Sequence, residues 1–336
     1  MHRLNINILI IFIFLFPELF SEEIIKPQAL KKGDLVGLIS PATNVSDPLD
    51  IQKAKEIIGL LGLKMKLGKN VLSGNGYKTK TREERADELN TMFADSSIKA
   101  IFCLRGGYGS ASILDLINYE NIKSNPKLFC GFSDITALHI AINKYSNLLT
   151  LHSPVMLSPF SGNTLENFRK MLFGENISVI KNPSEKSGSR EKYPIFTINS
   201  GKAKGKLVGG NLTLICSLLG TDYEIDTENK ILFIEDTGEA PYKIHRMLTG
   251  LRLAGKFEDI NGVIIGDCND CKSSGSPIWD GTQTEIYNEF FVQYNFPVFY
   301  GLMAGHTSEQ LTLPLGVKVE MDSNTGIMKL LENITK

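Results

Sequence analysis

From Leu35 onward the chain alternates short apolar runs with helix-patterned segments, and this rhythm restricts the fold more than any other feature. "LVGLIS" (35–40) is a strand-length run that stops at Pro41. "LDIQKAKEIIGLLG" (49–62) places apolar residues at helical spacing and ends on Gly62. "TREERADELNTMFAD" (81–95) opens with Thr81 and Glu84, the pair of a capping box, and carries an apolar stripe. "IKAIFCL" (98–104) reads as a strand, "SASILDLI" (110–117) as a helix and "KLFCGF" (127–132) as a strand. "DITALHIAINKY" (134–145) reads as a helix and "LLTLHSP" (148–154) as a strand. Buried strands separated by helices predict a parallel sheet covered on both faces.

The pattern weakens over 161–200, where one helix, "TLENFRKMLFG", precedes the Ser/Lys/Glu/Pro-rich "KNPSEKSGSREKYP". A second patterned segment follows. It contains strands "ILFIED" (231–236), "GVIIGD" (262–267) and "PVFYGL" (297–302), helices at 242–255 and 284–294, and a terminal strand pair turning at 323–326. The expected fold is α/β. An N-terminal doubly wound parallel-sheet domain (30–165) is joined by a linker region (166–200) to a C-terminal mixed α/β domain (201–336). A chain of 336 residues, 42% hydrophobic and 22% charged, is long enough for two such cores. Its formal net charge of −1 gives no field that would draw nucleic acid or an anionic membrane.

The first residues follow a different pattern. "MHRLNINILIIFIFLFPELFSEE" has a basic start, an apolar run from about Ile6 to Phe16 and a polar exit. The run is short for a membrane span and reads as a signal peptide over 1–21; "ELFS" is not a small-x-small cleavage site, and an uncleaved anchor is the rival reading. The expectation is an exported, periplasmic or cell-envelope protein with no stable membrane insertion once the leader is removed. No cysteine follows the run, which argues against a lipoprotein. The five cysteines form no regular disulfide framework. Cys103, Cys130 and Cys216 sit in apolar runs, and "CNDC" (268–271) has no second Cys/His pair to complete a zinc site. Unpaired loop and strand-end cysteines are the expectation for Cys268 and Cys271, with oxidation of the pair in an exported protein as the alternative.

Function in an open parallel sheet gathers at the carboxyl ends of strands. Four strand ends here carry unusual residues: "RGGYG" (105–109), Ser133, Glu235–Asp236 and "AGHTSEQ" with His306. A serine, an acid and a histidine in that order are the parts of a hydrolase triad. The hydroxyl needs an imidazole to take its proton, and the imidazole needs a carboxylate to hold its tautomer. Each residue also has a plainer use. Ser133 suits the N-cap of the helix that follows, and Asp134 suits that helix's first turn. Ile135 stands where the G-x-S-x-G elbow has its second glycine. His139 reads as a packed histidine, His245 as a surface one, and His152 competes with His306 for the site. Of Glu235 and Asp236, adjacent in a strand, only one can face inward. The three glycines of "RGGYG" suit either an anion cradle or an oxyanion hole, and Arg105 suits a substrate carboxylate. The loop matches neither G-x-G-x-x-G nor a P-loop, so nucleotide binding has little support.

Five stretches in fixed order carry a resemblance. "REERADELNTMFADSSIKAIFCLRGGYGSASILDLI", "NPKLFCGFSDITALHIAI", "GKLVGGNLTLICSLLGT", "ILFIEDTGEAPYKIHRMLTGL" and "GHTSEQLTLPLGV" together resemble the LD-carboxypeptidase (muramoyltetrapeptide carboxypeptidase) family, which also includes microcin C self-immunity peptidases. The resemblance runs from about Lys31 to Val319. It implies Ser133 as nucleophile, Glu235 as acid and His306 as base. It further implies oxyanion donors at the N–H groups of Asp134 and Gly107. Substrate contacts are expected from the same glycine loop at Arg105, Gly106 and Tyr108, with a pairing to a neighbouring acid as the alternative for Arg105. It implies a site between two domains, a homodimer, and no metal or cofactor. The implied reaction releases D-alanine from a murein tetrapeptide by cutting an L-to-D amide bond. A peptidase cleaving a peptide–nucleotide amide is the alternative within the family, and a non-catalytic binder of murein peptides is the alternative outside it. The family does without the second elbow glycine, so Ile135 does not count against Ser133. Three departures from the family pattern stand out: His245 where an acid is expected, Ser153 where glycine is usual, and the leader, since the family's familiar murein-recycling members are cytoplasmic.

Overall fold

In the N-terminal half, β1 (Leu35–Ile39), α1 (Pro48–Leu60), β2 (Lys64–Leu67), α2 (Arg82–Ala94), β3 (Ile98–Cys103), α3 (Tyr119–Ser124), β4 (Leu128–Gly131), α4 (Thr136–Ser146), β5 (Thr150–His152) and α5 (Gly162–Leu172) follow one another along the chain. The structure, a computed structural model, describes residues 23–72, 74, 80–175, 177–272 and 282–336. The expected leader lies outside the described residues. Among those residues, no helix is long and apolar enough to cross a membrane.

The start signals work as the sequence suggests. Asp47 caps α1 ahead of Pro48, and Thr81 and Glu84 close the capping box of α2. The segment 110–117 differs from expectation: Ser110–Leu116 is a 3-10 turn. It starts from left-handed Gly109, and its first N–H is drawn to the Asp134 carboxylate, which the 3-10 geometry accommodates.

Strands β1 to β5 form a parallel sheet in the order β5-β4-β3-β1-β2. One further strand, supplied by residues 313–315, joins its edge antiparallel to β5. The rest of the chain builds β6 (Val179–Ile180), a small hairpin of β7 (Lys186–Ser187) and β8 (Arg190–Glu191), β9 (Phe196–Asn199), β10 (Lys202–Asn211), α6 (Leu212–Ser217), β11 (Lys230–Thr237), α7 (Pro241–Leu253), β12 (Gly262–Asn269), α8 (Gln283–Phe291), β13 (Val298–Leu302), β14 (Leu313–Leu315), β15 (Lys318–Asp322) and β16 (Ile327–Leu330). The second sheet runs β6-β16-β15-β10-β11-β12-β13-β9, parallel from β10 to β13 and antiparallel on both flanks. The segment 166–200, linker-like by composition, thus carries the end of α5, the hairpin and both edge strands of this sheet.

Two apolar cores each draw on both halves. One joins Phe93, Phe129 and Leu138 to Ile234, Leu248 and Phe291. The other joins Leu38, Phe102 and Phe168 to Phe233, Phe299 and Leu313. The halves also meet through the backbone. Thr136, which opens α4, accepts from the Asn211 N–H at 2.9 Å. The contact requires Gly210, because a Cβ there would stand 2.5 Å from the Thr136 hydroxyl.

The structure pairs Cys268 with Cys271 in a disulfide, correcting the expectation that they stay unpaired. Asp270, at a left-handed φ of 55°, folds the chain back. The Cys271 N–H then reaches the Cys268 carbonyl, and the two Cα atoms come within 5.5 Å, inside the range a disulfide spans.

Candidate active site

Ser133 follows β4 after one intervening residue, Phe132, and its backbone is the site's first unusual feature. Its φ is +63°, a conformation that costs a non-glycine residue energy and persists where surroundings hold it. The serine caps nothing: neither the 3-10 turn Ser133–Ile135 nor α4 has a side-chain cap. Instead, Ser133 Oγ lies 3.1 Å from His306 Nε2. The N-cap alternative left open by the sequence is thereby removed. Ile135 also has its account. A Cβ at Gly131 would stand 3.0 Å from the Ile135 side chain, so the glycine before the serine makes room for the isoleucine after it.

His306 Nδ1 lies 2.8 Å from Glu235 Oε2. Glu235 is the last residue of β11 paired with β10 and is buried, while Gly305 lets the histidine loop close over it. Gly305 has φ +101°, and a Cβ there would fall 2.3 Å from Glu235 Oε2. Burial pushes the Glu235 carboxyl above the ordinary carboxylate range, and contact with His306 opposes that rise. Asp236 faces the other way. It accepts from Asn211 Nδ2, the Thr213 N–H and hydroxyl, and its neighbour Thr237 N–H, so it anchors the start of α6.

The other histidines are placed apart from this chain of contacts. His139 is buried in α4 and bonds the Gly131 carbonyl at 2.8 Å, and burial lowers its pKa to about 4. His245 is exposed. His152 is buried, and neither ring nitrogen has a hydrogen-bond partner among the described residues. Its ring lies edge-on to Phe132, whose other neighbour is the His306 ring at 4.7 Å.

The glycine loop is bound to the serine turn. Asp134 accepts from the Ser110 N–H at 2.8 Å and the Gly109 N–H at 3.3 Å, while its carbonyl takes the Ser110 hydroxyl. These two N–H groups therefore face a carboxylate of the protein itself. Gly106 packs on Ser133: a Cβ there would stand 3.0 Å from Ser133 Cβ. Gly107, at φ +110°, lies against Thr43, whose hydroxyl also accepts the Tyr108 N–H at 3.0 Å. Beneath the loop, buried Arg85 donates to the carbonyls of Pro41 and Gly109 and to the Ser112 hydroxyl. Arg85, Thr43 and the carboxylate of Asp134 carry no sequence motif, and their supporting role emerges only in three dimensions.

A cleft of about 980 Å³ opens beside His306. Arg105, Phe132 and Val155 from the N-terminal half line it, together with Asp267, Tyr300 and Gly305 from the C-terminal half. Tyr108 is exposed and outside this lining. Among the described residues, no cluster of His, Cys, Asp and Glu is arranged to hold a metal ion.

A strained serine hydrogen-bonded to a histidine, itself held by a buried glutamate, on a two-sheet α/β scaffold, defines a serine hydrolase. The LD-carboxypeptidase N-terminal domain model matches residues 36–153 and the C-terminal domain model residues 204–321. The chain is 36% identical to the probable murein peptide carboxypeptidase of Bacillus subtilis (strain 168), covering 89% of this chain and 92% of that protein. It is 29% identical to the microcin C7 self-immunity protein MccF of Escherichia coli, over 90% of this chain and 94% of that protein. A solved structure of MccF with glutamyl sulfamoyl guanosine superposes with a TM-score of 0.83 at 26% identity, covering 93% of this chain and 99% of that one. The muramoyltetrapeptide carboxypeptidase of Oxalobacter formigenes gives 0.75 at 25% identity, with 88% and 97% covered. The chain belongs to the LD-carboxypeptidase family and is a serine-type carboxypeptidase.

Proposed function

We propose that the protein cleaves the L-to-D amide bond of murein tetrapeptides and releases the terminal D-alanine, with Ser133, His306 and Glu235 as its triad. The observation that carries this reading is the unbroken contact from Ser133 Oγ through His306 to Glu235. His306 Nε2 takes the hydroxyl proton as Ser133 attacks the carbonyl of the diamino residue. Glu235 holds the ring through Nδ1 and stabilises the imidazolium that forms. The oxyanion develops against the N–H groups of Asp134 and Gly107, the first at the serine turn and the second on the loop packed against it. His306 then gives its proton to the departing D-alanine amine, and water releases the acyl-enzyme. Arg105, on the cleft wall and without an ion pair among the described residues, takes the terminal carboxylate. Gly106 lets the peptide approach the serine, and Tyr108 supplies a further contact from the same loop. The leader pattern supports export, so the substrate would be wall peptide met in the periplasm or cell envelope, and the working unit is proposed to be a homodimer.

The likeness to MccF supports a second reading, a peptidase acting on an aminoacyl–nucleotide amide. One experiment separates the two. The full-length protein and its Ser133→Ala variant are incubated with murein tetrapeptide and, separately, with an aminoacyl sulfamoyl adenosine, and products are read by mass spectrometry. Loss of one D-alanine by the wild type alone supports the first reading. Cleavage of the nucleotide conjugate alone replaces it with the second. No turnover of either leaves a binder of murein peptides.

A further inference from the structure

We infer that Asp267 holds the free side-chain ammonium of the residue whose carbonyl Ser133 attacks, so that the enzyme selects peptides in which this amine is not acylated. The inference rests on the murein-peptide reading above and specifies which form of that peptide the cleft accepts.

Position comes first. Asp267 follows Gly266 in β12, and Gly266 lies directly against the triad: a Cβ there would stand 3.1 Å from Glu235 Cβ and 2.5 Å from the Ala304 carbonyl. Asp267, one residue further along the strand, lines the same cleft as Gly305 and His306. Arg105 lines it from the end of β3, in the other half of the molecule.

Charge is the second argument. Other enclosed carboxylates here are supplied with donors. Asp236 has four, and Glu88 accepts the Asn70 N–H. Asp267 is half-buried, forms no ion pair among the described residues and is helped only by the neighbouring Cys268 N–H. Partial burial without a cation is unfavourable for a carboxylate, and it raises the pKa of this one. A ligand ammonium is the group that offsets that cost. The other cation on the cleft wall, Lys192, is already paired with Glu185. The cleft thus offers one cation, Arg105, and one carboxylate, Asp267, from opposite halves. The scissile peptide offers the matching pair: a terminal carboxylate on the leaving residue and an amine on the side chain of the residue before it. Acylating that amine, as a cross-link does, removes its charge and leaves Asp267 unmatched.

The test uses the full-length protein and three tetrapeptides that differ only at the third-residue side-chain amine: free, dimethylated and acetylated. Dimethylation keeps the charge and adds bulk close to that of the acetyl group, so charge and size separate. The wild type is expected to favour the free and dimethylated peptides over the acetylated one by about tenfold or more in kcat/KM, chiefly through KM. In Asp267→Asn the ratio should collapse toward one. Equal turnover of all three by the wild type would overturn the inference while leaving the murein reading intact. So would a preference that excludes the dimethylated peptide, or one that survives in Asp267→Asn. If none of the three is cleaved, the murein reading falls and the inference falls with it. Should Asp267→Asn not fold, the three wild-type rates still decide between charge and bulk.

Discussion

At Glu235 the needs of folding oppose those of the proposed mechanism. On that mechanism the carboxylate must be ionised to orient His306, yet it is buried with Oε1 lacking a hydrogen-bond partner among the described residues. Its folded-state pKa lies above that of an unfolded glutamate, so the folded protein holds this proton more tightly. The resulting contribution to stability is full below the ordinary glutamate pKa of about 4.3 and is lost as pH rises through the higher folded-state value. Glu235→Gln removes this titration. The variant should lose roughly 10⁴-fold in kcat, by analogy with neutralising the acid of a serine triad. Its melting temperature relative to wild type should rise as pH is taken from about 4 to 8. Parallel melting curves across that range would show that burial of Glu235 carries no such penalty. Gly305 belongs to the same argument. Gly305→Ala places a methyl group on Glu235 Oε2 and asks an L-residue to adopt φ +101°. It should abolish turnover while leaving Ser133 chemically intact, which a circular-dichroism spectrum beside a kcat measurement would check.

At the level of elements, strand ends were easier to read than the structure that holds them in place. The apolar runs of β1, β3, β4, β11, β12 and β13 announce themselves, and the capping pair Thr81 and Glu84 marks the start of α2. The residues at those strand ends bring Ser133, Glu235 and His306 together as their order suggested. What local pattern did not disclose is support that depends on distant partners. Arg85 looks like one more charge in "REER", yet it is buried and joins the end of the first strand to the glycine loop through two carbonyls. Asp134 looks like a helix-start acid, yet its carboxylate collects two loop N–H groups. The edge strands β6 and β9 lie in a polar stretch whose composition says linker, because edge strands need little apolar content to pair. Arg85→Ala strands the buried Pro41 carbonyl and leaves the Gly109 carbonyl to Ser112 alone, and the expected cost is about 1–3 kcal/mol in a denaturant titration. Arg85→Lys should recover only part of this, since one ammonium cannot reach both carbonyls and Ser112 in the same fork. Full recovery by lysine would mean that charge, and not the planar fork, is what the loop requires.

Across the whole molecule, the boundary between the two family domains is not a boundary in packing. Each apolar core takes residues from both halves, β14 crosses back to complete the first sheet, and Thr136 at the head of α4 bonds Asn211 at the end of β10. The Ser133–His306–Glu235 contact crosses the same junction, with Ser133 from one half and Glu235 and His306 from the other. If the halves were independent, a small relative shift would break the 3.1 Å serine–histidine contact long before either half unfolded. Shared cores prevent this by making relative motion and unfolding the same event. Urea titration should therefore give one transition, with far-UV circular dichroism and peptidase activity falling together at a single midpoint. Thr136→Val keeps the size of the residue but removes the acceptor for the Asn211 N–H, and it should lower both midpoints equally. Activity lost at clearly lower urea than secondary structure, in wild type or variant, would show instead that the halves separate as units and that the active site lies on a hinge.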